Sequence, residues 1–212
     1  MRGTARKREA PARATLVYVG VPLLVLLSSA ACRPTSDHDP THIRAVDLIF
    51  HFKDAERRPE RGTFEIGEHT FGGRSRASLI VPSGSRVTWT LFVPHRGRLQ
   101  VYAGVPDANG PAVAAFRLGV SDDRRFDNLI EQHVTSAETA NGWVTVSADL
   151  SPYAGRKFSL FYRPDNRKWH IVIGTHVVAG SPEFLVLGEP SIDADIESAR
   201  EYRQRLIDAA RE

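Results

Sequence analysis

From residue 63 onward, apolar and polar side chains alternate with a period of two in short runs, and this pattern restricts the fold more than any other feature. In residues 86–93 the apolar side chains occupy every second position, and threonines fill two of the positions between them. Such a run is typical of a strand with one buried face. Similar runs recur at 77–81, 98–105, 112–120, 126–134, 143–150, 157–162, 169–178 and 183–188. No long helical pattern separates them, which argues against a parallel α/β sheet.

Between these runs lie clusters of the residues that favour tight turns. Proline, glycine, asparagine and aspartate gather at 82–84, 94–97, 107–111, 141–142, 152–155 and 164–166. Eight or nine short strands joined by such turns predict an all-β fold, an antiparallel β-sandwich. Trp89 is in phase with its apolar neighbours and is therefore predicted to lie in the core.

A helix is expected on each side of the strand-rich region. Residues 44–57 place three apolar side chains on one helical face and predict a short helix, although positions 48, 50 and 52 also alternate as in a strand. After Pro190, either Asp193 or Asp195 can cap a second helix, with carboxylates in its first turn. Its narrow apolar stripe consists of Ile196, Ala199, Leu206 and Ala210. This helix is expected to rest on the sandwich, with a partner-binding helix or a helical linker as the alternatives.

The N-terminus has the layout of a secretory signal. Residues 1–13 are basic, residues 15–31 carry no charge, and small residues occupy 28–31 just before the single cysteine, Cys32. The segment LLSSAAC resembles a bacterial lipobox, although its third residue before the cysteine, Ser29, is usually leucine. The resemblance implies that Cys32 is lipidated and becomes the first residue of the mature chain. Simple secretion and a retained membrane helix are the alternatives.

The charge of the chain is concentrated in this signal. Residues 1–31 hold five of the 28 basic residues and one of the 25 acidic residues, so the remainder has 23 against 24 and a net charge of −1. A nucleic-acid-binding domain needs a basic face, and this balance gives no sign of one, so no nucleic-acid partner is expected. With 42% hydrophobic and 25% charged residues, the chain as a whole has the composition of a globular protein.

One segment carries a resemblance to a known superfamily. Residues 143–160 read WVTVSADLSPYAGRKFSL, with a strand ending in D-L-S and a following Y-A-G-R turn. This is similar to a signature of galactose-binding-like jelly rolls, and the resemblance extends over roughly residues 61–192. It implies a jelly-roll sandwich of the kind found in bacterial carbohydrate-binding modules and ahead of sulfatase-type hydrolase domains. The signature itself would build the core, through Val144, Val146, Ala148 and Leu150.

The predicted organisation combines these segments. The fold class is all-β, an antiparallel jelly-roll β-sandwich with a short N-terminal helix and a C-terminal helix. The expected divisions are a signal peptide at 1–31, a lipidated cysteine and polar tether at 32–43, a short helical lead-in at 44–60, the sandwich at 61–192 and an amphipathic helix at 193–212.

No catalytic or cofactor motif accompanies this fold. The chain has no nucleophile elbow, no phosphate-binding loop and no His-Glu-x-x-His pair. The Ser-Pro pairs at 151–152 and 181–182 lack the context of a sulfatase nucleophile. A non-enzymatic protein without a cofactor is therefore expected.

Aromatic and polar residues near the strand ends are the candidate ligand-binding residues, because sugars stack on aromatic rings and their hydroxyls bind polar side chains. Tyr102 is expected to face outward, and Trp143 and Trp169 lie beside turns. Arg96 and Asn166 are loop residues that can contact a ligand. For both tryptophans, packing at the edge of the core is the competing reading.

Three carboxylates in one loop are weak candidates for a structural calcium site, since carboxylates suit a hard cation. They are Asp122, Asp123 and Asp127. Arg124 and Arg125 lie among them and can neutralise them, so no metal is the primary expectation.

The leading hypothesis is a non-enzymatic lipoprotein of the bacterial cell envelope, anchored to the membrane through its lipid, whose sandwich binds a glycan or an envelope protein. One alternative is an accessory subunit or stand-alone N-terminal domain of a sulfatase-like hydrolase system. The other is a purely structural envelope protein.

Overall fold

The computed structural model describes residues 41–60, 63–106, 112–122, 124–154, 170–177 and 183–211. The predicted signal and Cys32 lie outside these residues. The described strands are β1 (His42–Asp47), β2 (Glu56–Arg58), β3 (Glu65–Phe71), β4 (Arg74–Pro82), β5 (Arg86–Thr90), β6 (Arg98–Gly104), β7 (Val113–Ser121), β8 (Phe126–Thr135), β9 (Val144–Asp149), β10 (His170–Val177) and β11 (Phe184–Asp195). The described helices are α1 (Ser136–Ala140) and α2 (Ile196–Ala209), with single 3₁₀ turns at Phe52–Asp54 and Ser151–Tyr153.

The strands form two antiparallel sheets. The six-stranded sheet has the order β3-β4-β11-β6-β9, with β1 also paired to β11, and the five-stranded sheet has the order β2-β5-β10-β7-β8. Successive strands from β4 to β7, and again from β8 to β11, alternate between the two sheets. This alternation is the winding of a jelly roll, so the predicted fold class is confirmed.

The core lies between the sheets and is built by the predicted alternation. On β6, Leu99, Val101 and Ala103 are buried in it, and the intervening residues belong to the opposite face of the sheet. Trp89 is 2% exposed, as its phase predicted, and its indole nitrogen donates a hydrogen bond of 3.0 Å to the carbonyl oxygen of Leu48. The four positions in residues 144–150 predicted to face the core do so: Val146 and Leu150 are buried in the core cluster, and Val144 and Ala148 pack against it.

The helix predicted over 44–57 is wrong. The structure has β1, one 3₁₀ turn and β2 in its place, and both strands belong to the sandwich. β1 pairs with the end of β11 and β2 pairs with β5. Hydrogen bonds to these distant strands, together with burial of Val46 and Leu48, outweigh the weak helical pattern. The two sheets therefore include strands that precede residue 61 in the chain.

The C-terminal helix is confirmed, with a different buried stripe. Asp195 is its N-cap, because the side chain accepts a hydrogen bond from the backbone nitrogen of Ser198. Ala199 and Tyr202 are buried, and Tyr202 reaches the core cluster, whereas the predicted stripe residues Ile196 and Leu206 are 50% and 40% exposed. Neither helix in the described ranges is long and apolar enough to cross a membrane.

Candidate functional site

A groove of about 660 Å³ lies between the turn at residues 94–97 and the helix α2. It includes Arg96, one of the residues predicted to contact a ligand. Its volume is within the range of sites that bind small molecules and short oligomers. The lining residues are His95, Arg96, Glu197, Ser198, Glu201, Gln204 and Arg205.

The turn on one side of the groove is held by backbone contacts. The backbone nitrogen of Gly97 donates to the carbonyl oxygen of Pro94 at 3.2 Å, and the carbonyl oxygen of Gly97 accepts from Leu150 at 2.8 Å. A side chain at residue 97 would lie 2.9 Å from the Pro94 oxygen and 3.3 Å from Ile192, so glycine is needed there. Arg96 has a φ of 50°, in the left-handed region, which is uncommon outside glycine and orients its side chain at the tip of the turn.

The helix on the other side is held by its direct junction with β11. The strand β11 ends at Asp195 and α2 begins at Ile196. Near the end of β11, Asp193 pairs with Arg98, which directly follows the turn. This pairing brings the start of α2 beside residues 94–97, although about 100 residues separate them in the chain.

The groove contains charges of both signs. Arg96 Nη1 lies 3.5 Å from Asp195 Oδ2, and Arg205 Nη2 lies 3.4 Å from His95 Nε2. The backbone hydrogen bond from Ser198 is the main cause that lowers the pKa of Asp195 below its ordinary value, and the charge of Arg96 lowers it further. The carboxylate is therefore ionised at neutral pH.

These side chains suit a polar ligand with many hydroxyl groups. Guanidinium groups donate hydrogen bonds, carboxylates accept them, and the amide of Gln204 does both. Each sugar hydroxyl is itself both a donor and an acceptor, so the two sets are complementary. The described residues that line the groove include no phenylalanine, tyrosine or tryptophan.

A second polar cluster lies on the outer face of the six-stranded sheet, and we call it the Arg76 cluster: Phe71, Arg76, Tyr102, Trp143 and Glu189. The guanidinium of Arg76 lies 3.5 Å from the centre of the Tyr102 ring, and its Nη1 donates to Glu189 Oε2 at 2.7 Å. Tyr102 also accepts a hydrogen bond of 2.6 Å from Gln100.

The Arg76 cluster refines the expectation for Tyr102. Its ring lies on the outer face of the sheet, as predicted, but it is 1% exposed, because neighbouring side chains including Arg76 cover it. Tyr102 thus faces outward as predicted but is covered rather than exposed, and its role in ligand binding stays a prediction.

Trp143 is half-buried in the same cluster. Its indole nitrogen donates to the carbonyl oxygen of Arg74 at 2.7 Å, and its ring meets Phe71 edge to face with centroids 4.6 Å apart. The far edge of the indole lies over Gly188, where an added Cβ would be 2.9 Å away. Trp143 thus has a packing role, and the structure brings it close to Tyr102 but away from the groove that contains Arg96.

The remaining predicted residues divide into two groups. Trp169, Asn166 and Asp123 lie outside the described residues. Asp122 accepts hydrogen bonds from the backbone nitrogens of Arg124 and Arg125, which closes their loop. Among the described residues no three histidine, cysteine, aspartate or glutamate side chains gather closely enough to hold a metal ion. Calcium binding by this loop stays a weak prediction.

Sequence reasoning found Arg96 but missed the helical side of the groove. Glu201 and Arg205 line the groove from α2, and Arg205 lies beside His95 of the turn. The available signal was the polar face of α2, on which Glu197, Glu201 and Gln204 recur at helical spacing. That spacing alone does not indicate which loop the face meets.

Comparison with solved structures finds carbohydrate-binding modules, the class named by the resemblance in residues 143–160. One is a CBM51 of Clostridium perfringens GH95 in complex with methyl-galactose, with 13% identity over 72% of this chain and 99% of that one and a TM-score of 0.44. Another contains CBM51-2 in complex with GlcNAc and INT domains of C. perfringens ZmpB, with 9% identity over 68% of this chain and a TM-score of 0.43. This chain spans 30% of that structure.

A third solved structure is the CBM22-1 xylan-binding domain of Paenibacillus barcinonensis Xyn10C, with 12% identity over 65% of this chain and 83% of that one and a TM-score of 0.39. No protein-family model matches the chain. No curated protein sequence matches it either.

Proposed function

We propose that this chain is a non-catalytic glycan-binding module, held at the bacterial cell envelope by a lipid on Cys32. The observation that carries the binding proposal is the groove between residues 94–97 and α2, with its mixed donors and acceptors. Both of its walls are anchored by strand pairing and backbone hydrogen bonds, so the site is formed before the ligand arrives. The proposed ligand is a neutral oligosaccharide that lies across the turn and the helix.

The envelope location rests on the sequence of the first 32 residues. A basic segment, an uncharged apolar segment and small residues before Cys32 support export and lipidation. The polar, proline-containing segment at 33–42 would then act as a tether between the membrane and the sandwich.

A glycan array followed by calorimetry on the purified full-length chain tests the binding proposal. The variant Arg96→Gln removes a charged donor from the groove and is expected to weaken binding about tenfold, because a hydrogen bond from a charged group contributes at least that much. Arg203→Gln is the matched control, since this exposed arginine is on α2 but outside the groove lining. Equal affinities for both variants, or no glycan bound by the wild type, would refute the proposal.

An envelope protein is the second candidate partner, and a specific feature of α2 favours it. Ile196 and Ile207 are 50% and 41% exposed, and helical spacing places them on one flank with Arg200 and Arg203. Exposed apolar residues among arginines are frequent at protein interfaces. A photo-crosslinker at residue 207 that captures one specific envelope protein, while the same crosslinker at Glu131 does not, would support this candidate.

A further inference from the structure

A row of side chains crosses the outer face of the five-stranded sheet. Directly paired positions place Arg58 beside Arg86, Arg86 beside Gly174, Gly174 beside Arg117, and Arg117 beside Glu131. Each of the four side chains is exposed, because the residues on either side of it in its strand alternate towards the core. We call these five positions the arginine row. Its middle position, on the central strand β10, carries no side chain.

Neither the backbone conformation nor the packing of the described residues requires glycine at position 174. Its φ is outside the left-handed region, and among the described residues the atom nearest to an added Cβ would be the carbonyl oxygen of Arg117, at 3.9 Å. Gly104, Gly119 and Gly188 differ in this respect, since a Cβ at Gly119, for example, would lie 2.3 Å from the ring of Phe126. Glycine weakens a strand interior, and there it often marks a bulge, a bend, or a place where a ligand or another backbone segment approaches closely.

The arginine row has an excess positive charge. This charge lies next to the gap that Gly174, which has no side chain, leaves in the row. Arg58 pairs with Glu56 at 2.6 Å and Arg117 pairs with Glu131 at 2.9 Å. In the described part of the chain Arg86 has no acidic partner, so the local sum is one positive charge. Arg86 and Arg117 stand on the two strands that flank β10, and two inter-strand spacings separate them by about 10 Å. An acidic group placed over Gly174 can therefore receive hydrogen bonds from both guanidinium groups.

The surroundings favour a saccharide as the carrier of that acidic group. The backbone of β10 is paired on both sides, with β5 and with β7, so it offers no free edge to a peptide strand. The adjacent row supplies the hydroxyl of Thr88 and the exposed amide of Asn128, which can bind sugar hydroxyls.

We propose that the gap over Gly174 is a second ligand site, which binds the carboxylate or sulfate group of an acidic polysaccharide through Arg86 and Arg117. The site shares no residue with the groove beside α2 and does not depend on the function proposed for that groove. It gives the module a charge-selective surface in addition to a neutral-sugar groove.

Calorimetry on the purified full-length chain with three probes tests the ligand class. The probes are an oligogalacturonate, the same oligomer as its uncharged methyl ester, and an O-sulfated galactan oligosaccharide. We expect the two anionic probes to bind, the ester to bind at least tenfold more weakly, and added salt to weaken binding of the anions. Comparison of the galacturonate with the sulfated probe identifies which acidic group is preferred. Equal affinity for the acid and its ester would overturn the proposal, as would no binding of either anion.

Three variants locate the site on the protein. Arg86→Gln removes the excess positive charge, and Gly174→Val fills the gap. Each variant is expected to bind the anionic probe about tenfold or more weakly than the wild type does. Gly174→Val is expected to keep or raise the melting temperature, because a β-branched residue suits a strand, so its loss of binding would not reflect unfolding. Arg203→Gln, with the same charge change on α2, is expected to bind like the wild type.

The outcomes separate this site from the groove. If Arg86→Gln and Gly174→Val bind anions as the wild type does, or if Arg203→Gln weakens binding equally, the site over Gly174 is refuted. Arg96→Gln is expected to leave acidic-sugar binding unchanged. Loss of neutral-glycan binding in that variant with retained acidic-sugar binding would support two separate sites.

Discussion

At the scale of single residues, glycine has two different structural roles in this sandwich. Gly188 and Gly104 make room for the rings of Trp143 and Phe71, which cover the outer face of the six-stranded sheet. At Gly174 the nearest described atom to an added Cβ would be the carbonyl oxygen of Arg117, 3.9 Å away and in no steric conflict. The sequence shows the same residue type at all three positions, and the difference arises from which side chains the neighbouring strands bring near.

This difference predicts that replacing glycine with alanine has opposite effects on the free energy of unfolding at positions 188 and 174. Gly188→Ala would place its Cβ 2.9 Å from Trp143 and 3.2 Å from Arg76, and Trp143 is held by its hydrogen bond to Arg74. We expect the free energy of unfolding to fall by about 1–3 kcal/mol, the usual cost of overpacking. Gly174→Ala, the matched control, is expected to raise it by up to about 1 kcal/mol, because glycine in a strand is less stable than alanine. Urea denaturation measures both, and equal losses would contradict the packing described for Trp143.

At the scale of elements, α2 combines a local signal with a long-range contact. Its start was predictable, because Asp195 precedes a run of helix-forming residues with acidic side chains in the first turn. Its buried face was not, because Tyr202 rather than Leu206 reaches the core. Which residue of the helix is buried depends on the direction in which α2 continues from β11. The sheet sets that direction.

The N-cap predicts a pH-dependent contribution to stability. Asp195→Ala is expected to lower the free energy of unfolding by about 1 kcal/mol at pH 7, through loss of the hydrogen bonds to Ser198. The folded state lowers the pKa of Asp195 from its ordinary value of 3.8, so the stabilisation is present above that value and is lost as the pH falls through the folded pKa. Denaturation of wild type and variant at pH 7 and pH 3 measures this, and the two stabilities should converge at the lower pH. A gap that widens on acidification would show that the carboxylate does not stabilise the helix.

At the scale of the whole molecule, the proposed tether predicts where the sandwich is held. Wild-type chain expressed in a bacterium is expected to incorporate a clickable fatty acid and to fractionate with membranes, because the thiol of Cys32 would carry the lipid. Cys32→Ala is expected to lose the label, and Ser29→Leu, which brings the segment closer to the usual lipobox, is expected to retain it. An unlabelled wild-type chain would point to simple secretion or to a retained membrane helix.

The sandwich was predictable because its signal is local. Alternation in residues 86–93 and 98–105 reports that one face of each strand is buried, and turn residues report where each strand ends. Residues 44–57 were mispredicted because their own pattern is ambiguous. Their conformation is decided by pairing of His42–Asp47 with β11, about 150 residues away.

The sequence predicted individual residues of the candidate site but not the contacts between them. The sequence alone identified Arg96 as a polar residue at a turn, the cap at Asp195, and the alternation that sets the core face of each strand, because these depend on residues a few positions apart. Only the tertiary structure decided that Arg96 faces α2, that Tyr102 lies beneath Arg76, and that Gly174 lies between two arginines. Those relations join residues that are far apart in the chain, and the register between paired strands, which no local pattern encodes, brings them together.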